Sequence, residues 1–577
     1  MQISLATYRQ LLQQYLAPQW RAVALMAALL IGSIVTQLFV PQVARSFING
    51  AQAGIGERAL IQTALLFIAL SAIHQALRVL AVYWSERVAW RATNALRLDL
   101  TAHLLGLDLD FHQRHSPGEL IERVDGDVNA LAGFFSAVVI QLIGNILLLL
   151  GIVLALAWVN VWLGVAFATL ALLGGVLLGW VRRFGNRHWQ ASRQHSATFY
   201  GLLGELIAAT EDIRSSGAVA YAMRRFTSQL RAWLPVAQRA DFWSSAIWMT
   251  AMILFAASDA LAYGIGGTLY LGGTISLGTV YMIIAYTAML AAPIETIRTQ
   301  LQDLQQADAA ISRIQALLAI QPKLQDGTIP LPPGALAAEF DHVGFTYDDE
   351  PILHDITFSL DAGRVLGLLG RTGSGKTTLA RLLFRLVDPQ VGEICVGGVD
   401  LRHAQISSVR SRIGFVTQDV QIFDATLRDN ITCFAPNVSD AQLISLIEML
   451  GLSAWLVRLP NGLDTPISTA NLSAGEAQLI ALARVFLKDP GLIILDEASS
   501  RLDPATEALL EQALDKLLEG RTALIIAHRL ATLDRATDIL VLEKGRMVEH
   551  GPRQQLLADP TSHFARLRHA GEGELLG

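Results

Sequence analysis

Residues 365–386 read VLGLLGRTGSGKTTLARLLFRL, and this run decides the fold of the chain's second half. VLGLL is short and apolar, as suits a strand buried on both faces. GRTGSGKTT follows without a break, and LARLLFRL resumes at helical spacing. Strand, glycine-rich loop and helix in that order make a phosphate-binding loop. The glycines let backbone N–H groups turn inward around a phosphate, and the helix N-terminus adds the positive end of its dipole. Lys376 is placed to neutralise the outer phosphates of a nucleotide, and Thr377 to offer a hydroxyl to Mg²⁺. The expected nucleotide-binding set is Gly370, Arg371, Thr372, Gly373, Ser374, Gly375, Lys376, Thr377 and Thr378.

Downstream, LIILDE at 492–497 reads as a buried strand that delivers two carboxylates at its end. Asp496 can hold the metal through water, and Glu497 can polarise an attacking water as general base. An acidic pair after a strand is commonplace alone; the phosphate loop upstream gives it meaning. Upstream of that loop, EFDHVGFTY and ITFSL alternate like paired strands. Before them, QPKLQDGTIPLPPGAL carries Pro322, Pro330, Pro332 and Pro333, which cannot sustain a helix. Residues 321–336 are the expected linker between a first domain at 1–320 and a second at 337–577.

The first domain is of another kind. A membrane-spanning helix needs roughly 20 mainly apolar residues. Residues 22–40 carry no charge and end at Pro41, while 59–83 are interrupted only by His74 and Arg78. Residues 129–181 hold no charge at all, enough for two spans joined by a tight turn near Trp158 and Asn160. Residues 242–294 repeat the arrangement, with Asp259 as their one charge and GIGGTLYLGG as the turn. Six spans are therefore expected. Nine arginines crowd residues 182–239 and five more lie between Arg87 and Arg123, whereas the two hairpin turns have none. Short cytoplasmic loops carry the positive excess, so both termini are expected in the cytoplasm. The arginine-bearing connections read as helices extending beyond the membrane, with tips at FHQRHSPGEL and SSGAVAYAMRRF. Asp259 at membrane depth suggests a place on a translocation pathway; the structural alternatives are a position near a span end or a pairing with Arg78.

Composition agrees with this division. The chain has 577 residues, 52% hydrophobic and 16% charged, and a mean hydropathy of +0.42, with the apolar excess concentrated before about residue 300. A net charge of −6 gives no footprint for a nucleic-acid partner. Two cysteines, Cys395 and Cys433, without CxxC spacing, exclude a disulfide framework or zinc site. At the N-terminus Leu5, Tyr8, Leu12, Tyr15 and Leu16 recur at helical spacing, which reads as an amphipathic helix on the cytoplasmic membrane face or a plain capping helix.

The phosphate loop, LIILDE and NLSAGEAQ at 471–478 together resemble the ATP-binding cassette (ABC) transporter family, with the order of motifs matching over about residues 337–577. The resemblance implies ATP and Mg²⁺ as ligands. It also implies that Tyr347 stacks on adenine, that Gln418 in GFVTQD senses Mg²⁺ and couples to the membrane half, and that His528 in IIAHR contacts the γ-phosphate. Ser500, Leu502 and Asp503 resemble the loop that crosses between two nucleotide domains. The membrane half is similar to the exporter subgroup, in which six spans precede the cassette and two chains assemble. Leu472, Ser473, Ala474, Gly475 and Glu476 would then form the signature that caps ATP on the partner's phosphate loop.

The implied fold is an all-α six-helix transmembrane domain followed by an α/β ATPase with a helical subdomain. The implied function is ATP-driven export of a small molecule, lipid or peptide from the cytoplasm, by a subunit of the inner membrane working as a homodimer or heterodimer. Two departures from the family's LSGGQ signature stand out: Ala474 replaces a glycine and Glu476 a glutamine. TPISTANLS is also shorter than the family's usual approach and lacks its glutamate and glycine. These changes favour a heterodimer with one slower site. Import on the same fold and an ATP-gated, non-transporting protein are the remaining alternatives.

Overall fold

The computed structural model describes residues 13–133, 143–290, 307–347, 350–469, 471–496, 504–527 and 530–571. Two compact units emerge: Met1–Leu105 with His115–Ile320, and Gly106–Arg114 with Gln321–Gly577.

The first unit is helical. Its main elements are α1 (Trp20–Gln52), α2 (Glu57–Gly106), α3 (Gly144–Val159), α4 (Val161–Ala208), α5 (Val219–Leu271) and α6 (Leu277–Met289). Among the described residues, four helices are long and apolar enough to cross a membrane: Gln13–Gln52, α2, α4 and α5. The shorter apolar α3 and α6 each lie beside a stretch outside the described residues, 134–142 and 291–306. Asn160 starts α4, its side-chain oxygen accepting from the N–H of Trp162 at 2.9 Å, so the expected turn after Trp158 is in place. Of the N-terminal pattern, Leu5, Tyr8 and Leu12 lie outside the described residues. Tyr15 is buried and donates to Asp99 on α2 at 2.8 Å.

Two expectations require correction. Pro41 does not end the first span, because α1 continues through it to Gln52. Proline removes one backbone donor, and neighbouring helices can answer the disturbed backbone. The carbonyl left without its donor by Pro41 is that of Gln37; one residue on, the Tyr286 hydroxyl of α6 donates to the Leu38 carbonyl at 2.7 Å and accepts from the Gln42 amide side chain at 3.0 Å, tying α1 to α6 beside the proline. Likewise GIGGTLYLGG turns only in its last two residues, since α5 runs through Gly264, Gly266 and Gly267 to Leu271. Small residues let helices approach closely in a membrane. Gly266 faces Val280 and Ile283 of α6, where a Cβ would make ordinary contact at 3.6 and 3.9 Å, so α5 passes through these positions without a break. The reversal begins in those last two residues, Gly272 and Gly273 (φ 68° at Gly273), and runs to residue 276.

The second unit is α/β. A four-stranded sheet runs in the order β2-β1-β4-β5, from β1 (Ala338–Tyr347), β2 (Glu350–Leu360), β4 (Val391–Val396) and β5 (Val399–Asp400). The central sheet has six strands in the order β12-β11-β3-β10-β9-β6. These are β3 (Val365–Leu369), β6 (Ile413–Val416), β9 (Leu492–Asp496), β10 (Thr522–Ile526), β11 (Asp538–Glu543) and β12 (Arg546–Pro552). A two-stranded pair joins β7 (Ala425–Thr426) to β8 (Pro466–Ile467). Every residue of β3, β9 and β10 is buried. Alternate residues serve different cores: Leu369, Leu495 and Ile525 pack on one face, Leu368, Ile494 and Ile526 on the other. The period of two along a strand demands this, and covering both faces explains the unbroken apolar runs. Helices α7 (Lys376–Leu383), α8 (Ala474–Lys488) and α9 (Pro504–Leu518) complete the layers.

Candidate nucleotide site

The site is assembled at one edge of the central sheet. β3, β10 and β9 are parallel neighbours, and Ile526 stands opposite both Leu368 and Asp496. The C-terminal ends of the three strands are therefore level, where open α/β sheets bind ligands. β3 feeds directly into the loop before α7. Gly375 caps that helix with φ 103°, a conformation costly for any residue with a side chain. A Cβ at Gly370 would lie 2.3 Å from the Leu542 carbonyl oxygen, so the loop has no room for a larger residue there.

Three features of the loop suit a polyphosphate. Lys376 is buried, and its ammonium donates to the carbonyls of Gly370 at 2.6 Å and Arg371 at 3.1 Å, drawn across the loop by dipoles that an anion would outbid. The Ser374 hydroxyl oxygen is fully covered and has no hydrogen-bond partner among the described residues. Buried polar atoms usually have a partner, and a phosphate held in the loop would supply one. Thr377 donates its hydroxyl to the buried Asp496 carboxylate at 3.2 Å, which brings the loop and the end of β9 together. A hydroxyl and a carboxylate are hard oxygen donors of the kind Mg²⁺ prefers. Thr378 is buried behind them, while Arg371, Thr372 and Gly373 are exposed.

The chain matches two family models, one described as ABC transporter over residues 353–500 and one as ABC transporter transmembrane region over residues 23–294. This chain belongs to the ABC transporter family. An ABC transporter ATP-binding protein of Bacillus subtilis is 31% identical over 92% of this chain and 88% of its own length. The ATP-dependent lipid A-core flippase of Desulfotalea psychrophila is 30% identical over 82% of this chain and 83% of its own. A multidrug resistance ABC transporter of Lactococcus lactis is 28% identical over 92% and 90%. Among solved structures, a bacterial Atm1-family ABC exporter with ATP bound superposes with a TM-score of 0.79 at 25% identity, covering 97% of this chain and 99% of that one. The protein is accordingly an ABC exporter by fold, an integral membrane protein whose all-helical membrane domain is fused to an ATP-binding domain with sheets.

Other ABC motif residues fall around the loop or apart from it. Tyr347 ends β1, half-buried, its ring edge-on to Phe345 at 4.7 Å and its hydroxyl accepting from Arg381 of α7 at 3.3 Å. Gln418 is exposed two residues beyond β6. The signature opens α8, and its polar atoms are satisfied among themselves. Ser473 caps the helix, accepting from the Glu476 N–H at 3.2 Å. The Glu476 carboxylate accepts from the Ser473 N–H at 2.8 Å and hydroxyl at 2.9 Å. Leu472 and Glu476 are half-buried, Ala474 is exposed and Gly475 is buried. Glu497, Ser500, Leu502, Asp503 and His528 lie outside the described residues.

Sequence reading missed Asp108 and Asp110, just ahead of FHQRHSPGEL. The segment Gly106–Arg114 clusters with the ATP-binding unit. Asp108 accepts from the backbone N–H groups of Lys323 and Leu324 at 2.5 and 3.3 Å, and Asp110 pairs with the Lys323 ammonium at 3.1 Å. Desolvation pushes the Asp110 carboxyl up, but hydrogen bonding and charge from Lys323, with Arg114 beside it, win and hold it below its ordinary value. The alternation LDLD before a helix stop was the available signal.

Proposed function

We propose that this exporter hydrolyses ATP to drive a molecule outward from the cytoplasm across a bacterial inner membrane, as a half-transporter completed by a second subunit. The supporting observation is the Thr377–Asp496 contact beneath an orphaned Ser374 hydroxyl, in a chain whose other half carries four membrane-length apolar helices. Tyr347 stacks on adenine, and residues 370–378 wrap the phosphates with Lys376 moving from its carbonyls to the outer phosphate oxygens. Thr377, Asp496 and Gln418 would hold Mg²⁺, which supplies charge neutralisation on the phosphates when bound. Glu497 takes the proton of a water attacking the γ-phosphorus; the bond to the bridging oxygen breaks, and its electron pair leaves with ADP. His528 donates to the γ-phosphoryl oxygens. The partner's signature closes over the same nucleotide, Ser500 and Asp503 line the crossing loop, and the cytoplasmic helices pass this closure to the membrane half. Residues 1–320, 321–336 and 337–577 serve as membrane domain, linker and motor, and Asp259 lies on the pathway.

The test is Glu497→Gln in lipid nanodiscs with any cognate subunit present. Turnover should fall at least about a hundredfold while Mg·ATP still binds; undiminished turnover would assign the chemistry elsewhere. Direction is read from ATP-driven movement in inside-out vesicles.

A heterodimer is the second reading, favoured by the Glu476 carboxylate that occupies the signature serine and adds negative charge beside it. Size-exclusion with mass analysis of the chain alone, with its ATPase rate, separates the two: brisk turnover by a homodimer would eliminate the heterodimer.

A further inference from the structure

Tryptophans mark where α4 enters and leaves the bilayer. Val161 opens the helix beside the Asn160 turn. Trp162 is 78% exposed there, and Trp180, 60% exposed, follows eighteen residues later, or about 27 Å along the axis. Aromatic belts of this kind stand at the two edges of a hydrocarbon layer about 30 Å thick. Arg183, Arg187 and His188 therefore lie just past the second edge, at the level of the lipid headgroups.

α5 returns beside α4 at this level. Gly185 is buried against it, so closely that a Cβ there would lie 3.2 Å from the Cβ of Trp243. The Trp189 indole N–H donates to the Ala240 carbonyl at 3.1 Å and the Ser244 hydroxyl at 3.0 Å, which fixes the two helices in register. Across the seam the Trp243 ring lies nearly parallel to those of Phe184 and His188, each 6.1 Å away, and Trp180 meets Phe184 edge-on at 4.8 Å. The Arg187 Nε–H donates to the His188 Nε2 at 3.2 Å, so a guanidinium is held beside this column of rings. Trp180, Arg183, Phe184, Arg187 and His188 recur at spacings of three and four, and so share one face of α4. Arg183 and Arg187 are about 6 Å apart along the axis, close enough for one headgroup to meet both.

That face carries positive charge left unanswered by the protein. Arg183, Arg187 and, on α5, Arg239 are exposed, and no ion pair joins any of them to a described residue. Asp241, also exposed, is the one acid at this level. Asp259 is exposed sixteen residues farther along α5, outside this surface. A second subunit covering the face would need carboxylates of its own there, because an unpaired buried charge is costly. The phosphates of the leaflet supply counter-charge at that depth already. A guanidinium fork takes phosphate oxygens two at a time, and the rings on the bilayer side pack against the glycerol and upper acyl chain.

We propose that Arg183 and Arg187, backed by the rings of Trp180, Phe184, Trp243 and His188, bind the headgroup of an anionic phospholipid in the leaflet opposite the Asn160 turn. The lipid is a resident ligand of the helix surface, and the proposal is independent of what the exporter carries and in which direction. Its test is lipid titration of the full chain in detergent, with any cognate subunit present and bound lipids counted by native mass spectrometry. Phosphatidylglycerol should bind saturably and about tenfold more tightly than phosphatidylcholine of the same chains. Arg183→Gln with Arg187→Gln should cut that preference about fivefold or more. Arg214→Gln with Arg224→Gln, which deletes the same charge at the tip of the helix pair, should leave it intact. If the Arg183 and Arg187 double variant fails to insert, Arg187→Gln alone should still weaken phosphatidylglycerol several-fold. Equal binding of the two lipids, an unchanged preference in either Arg187 variant, or an equal loss in the Arg214 and Arg224 variant would overturn the proposal. Displacement of the lipid by inorganic phosphate would overturn it too, by assigning these arginines to a free anion.

Discussion

The helical half and the α/β half use the same apolar residues in opposite ways. On α4 Leu172 is 72% exposed, and on α5 Ile253 is 67% exposed, whereas Ile494 of β9 is fully buried. In the ATP-binding half, burial from water is the driving force, at about 25 cal/mol per Å². In the helical half that force is absent between helices, since lipid is as apolar as leucine. Close contacts do the work instead, such as the Tyr286 hydroxyl bridging Leu38 and Gln42 and the Asn49 side chain meeting the Gly278 backbone. Apolar volume therefore governs one half, and small residues with local hydrogen bonds govern the other.

Three substitutions sharpen or break this contrast, each read by calorimetry of the full chain in nanodiscs. Ile494→Ala should cost the most, about 2–5 kcal/mol, because it leaves a cavity between two covered sheet faces. A loss below about 1 kcal/mol would mean the central sheet is not the stabilising core. Gly278→Val should cost about 1–3 kcal/mol. Its Cβ would fall 2.4 Å from the Arg45 carbonyl oxygen and 2.5 Å from the Asn49 side-chain oxygen. Leu172→Ala should change stability least, within about 0.5 kcal/mol; a core-sized loss would show that this outward face is packed against protein.

The glycine loop was legible as a fold element because strand, glycines, lysine and helix are contiguous in the chain. Asp496 was legible for the same reason, at the end of an apolar run. The errors fell where one helix answers another. Pro41 and the glycines before Leu271 look like breaks by local rules, yet α1 and α5 run through them, and the Tyr286 hydroxyl that ties α1 to α6 beside Pro41 is not visible in local sequence. Asp108 and Asp110 escaped for a similar reason, since their partner Lys323 is more than two hundred residues away. The Glu476 substitution was visible in sequence, but its attachment to Ser473 emerged from the geometry.

Mg·ATP binding by the full-length protein in nanodiscs, with any cognate subunit present, compared between native chain and Lys376→Ala, tests the central claim most directly. Saturable binding by the native protein that drops about a hundredfold in the variant is the expected result. Undiminished affinity in Lys376→Ala, or no binding by the native protein, would contradict a nucleotide held by this loop.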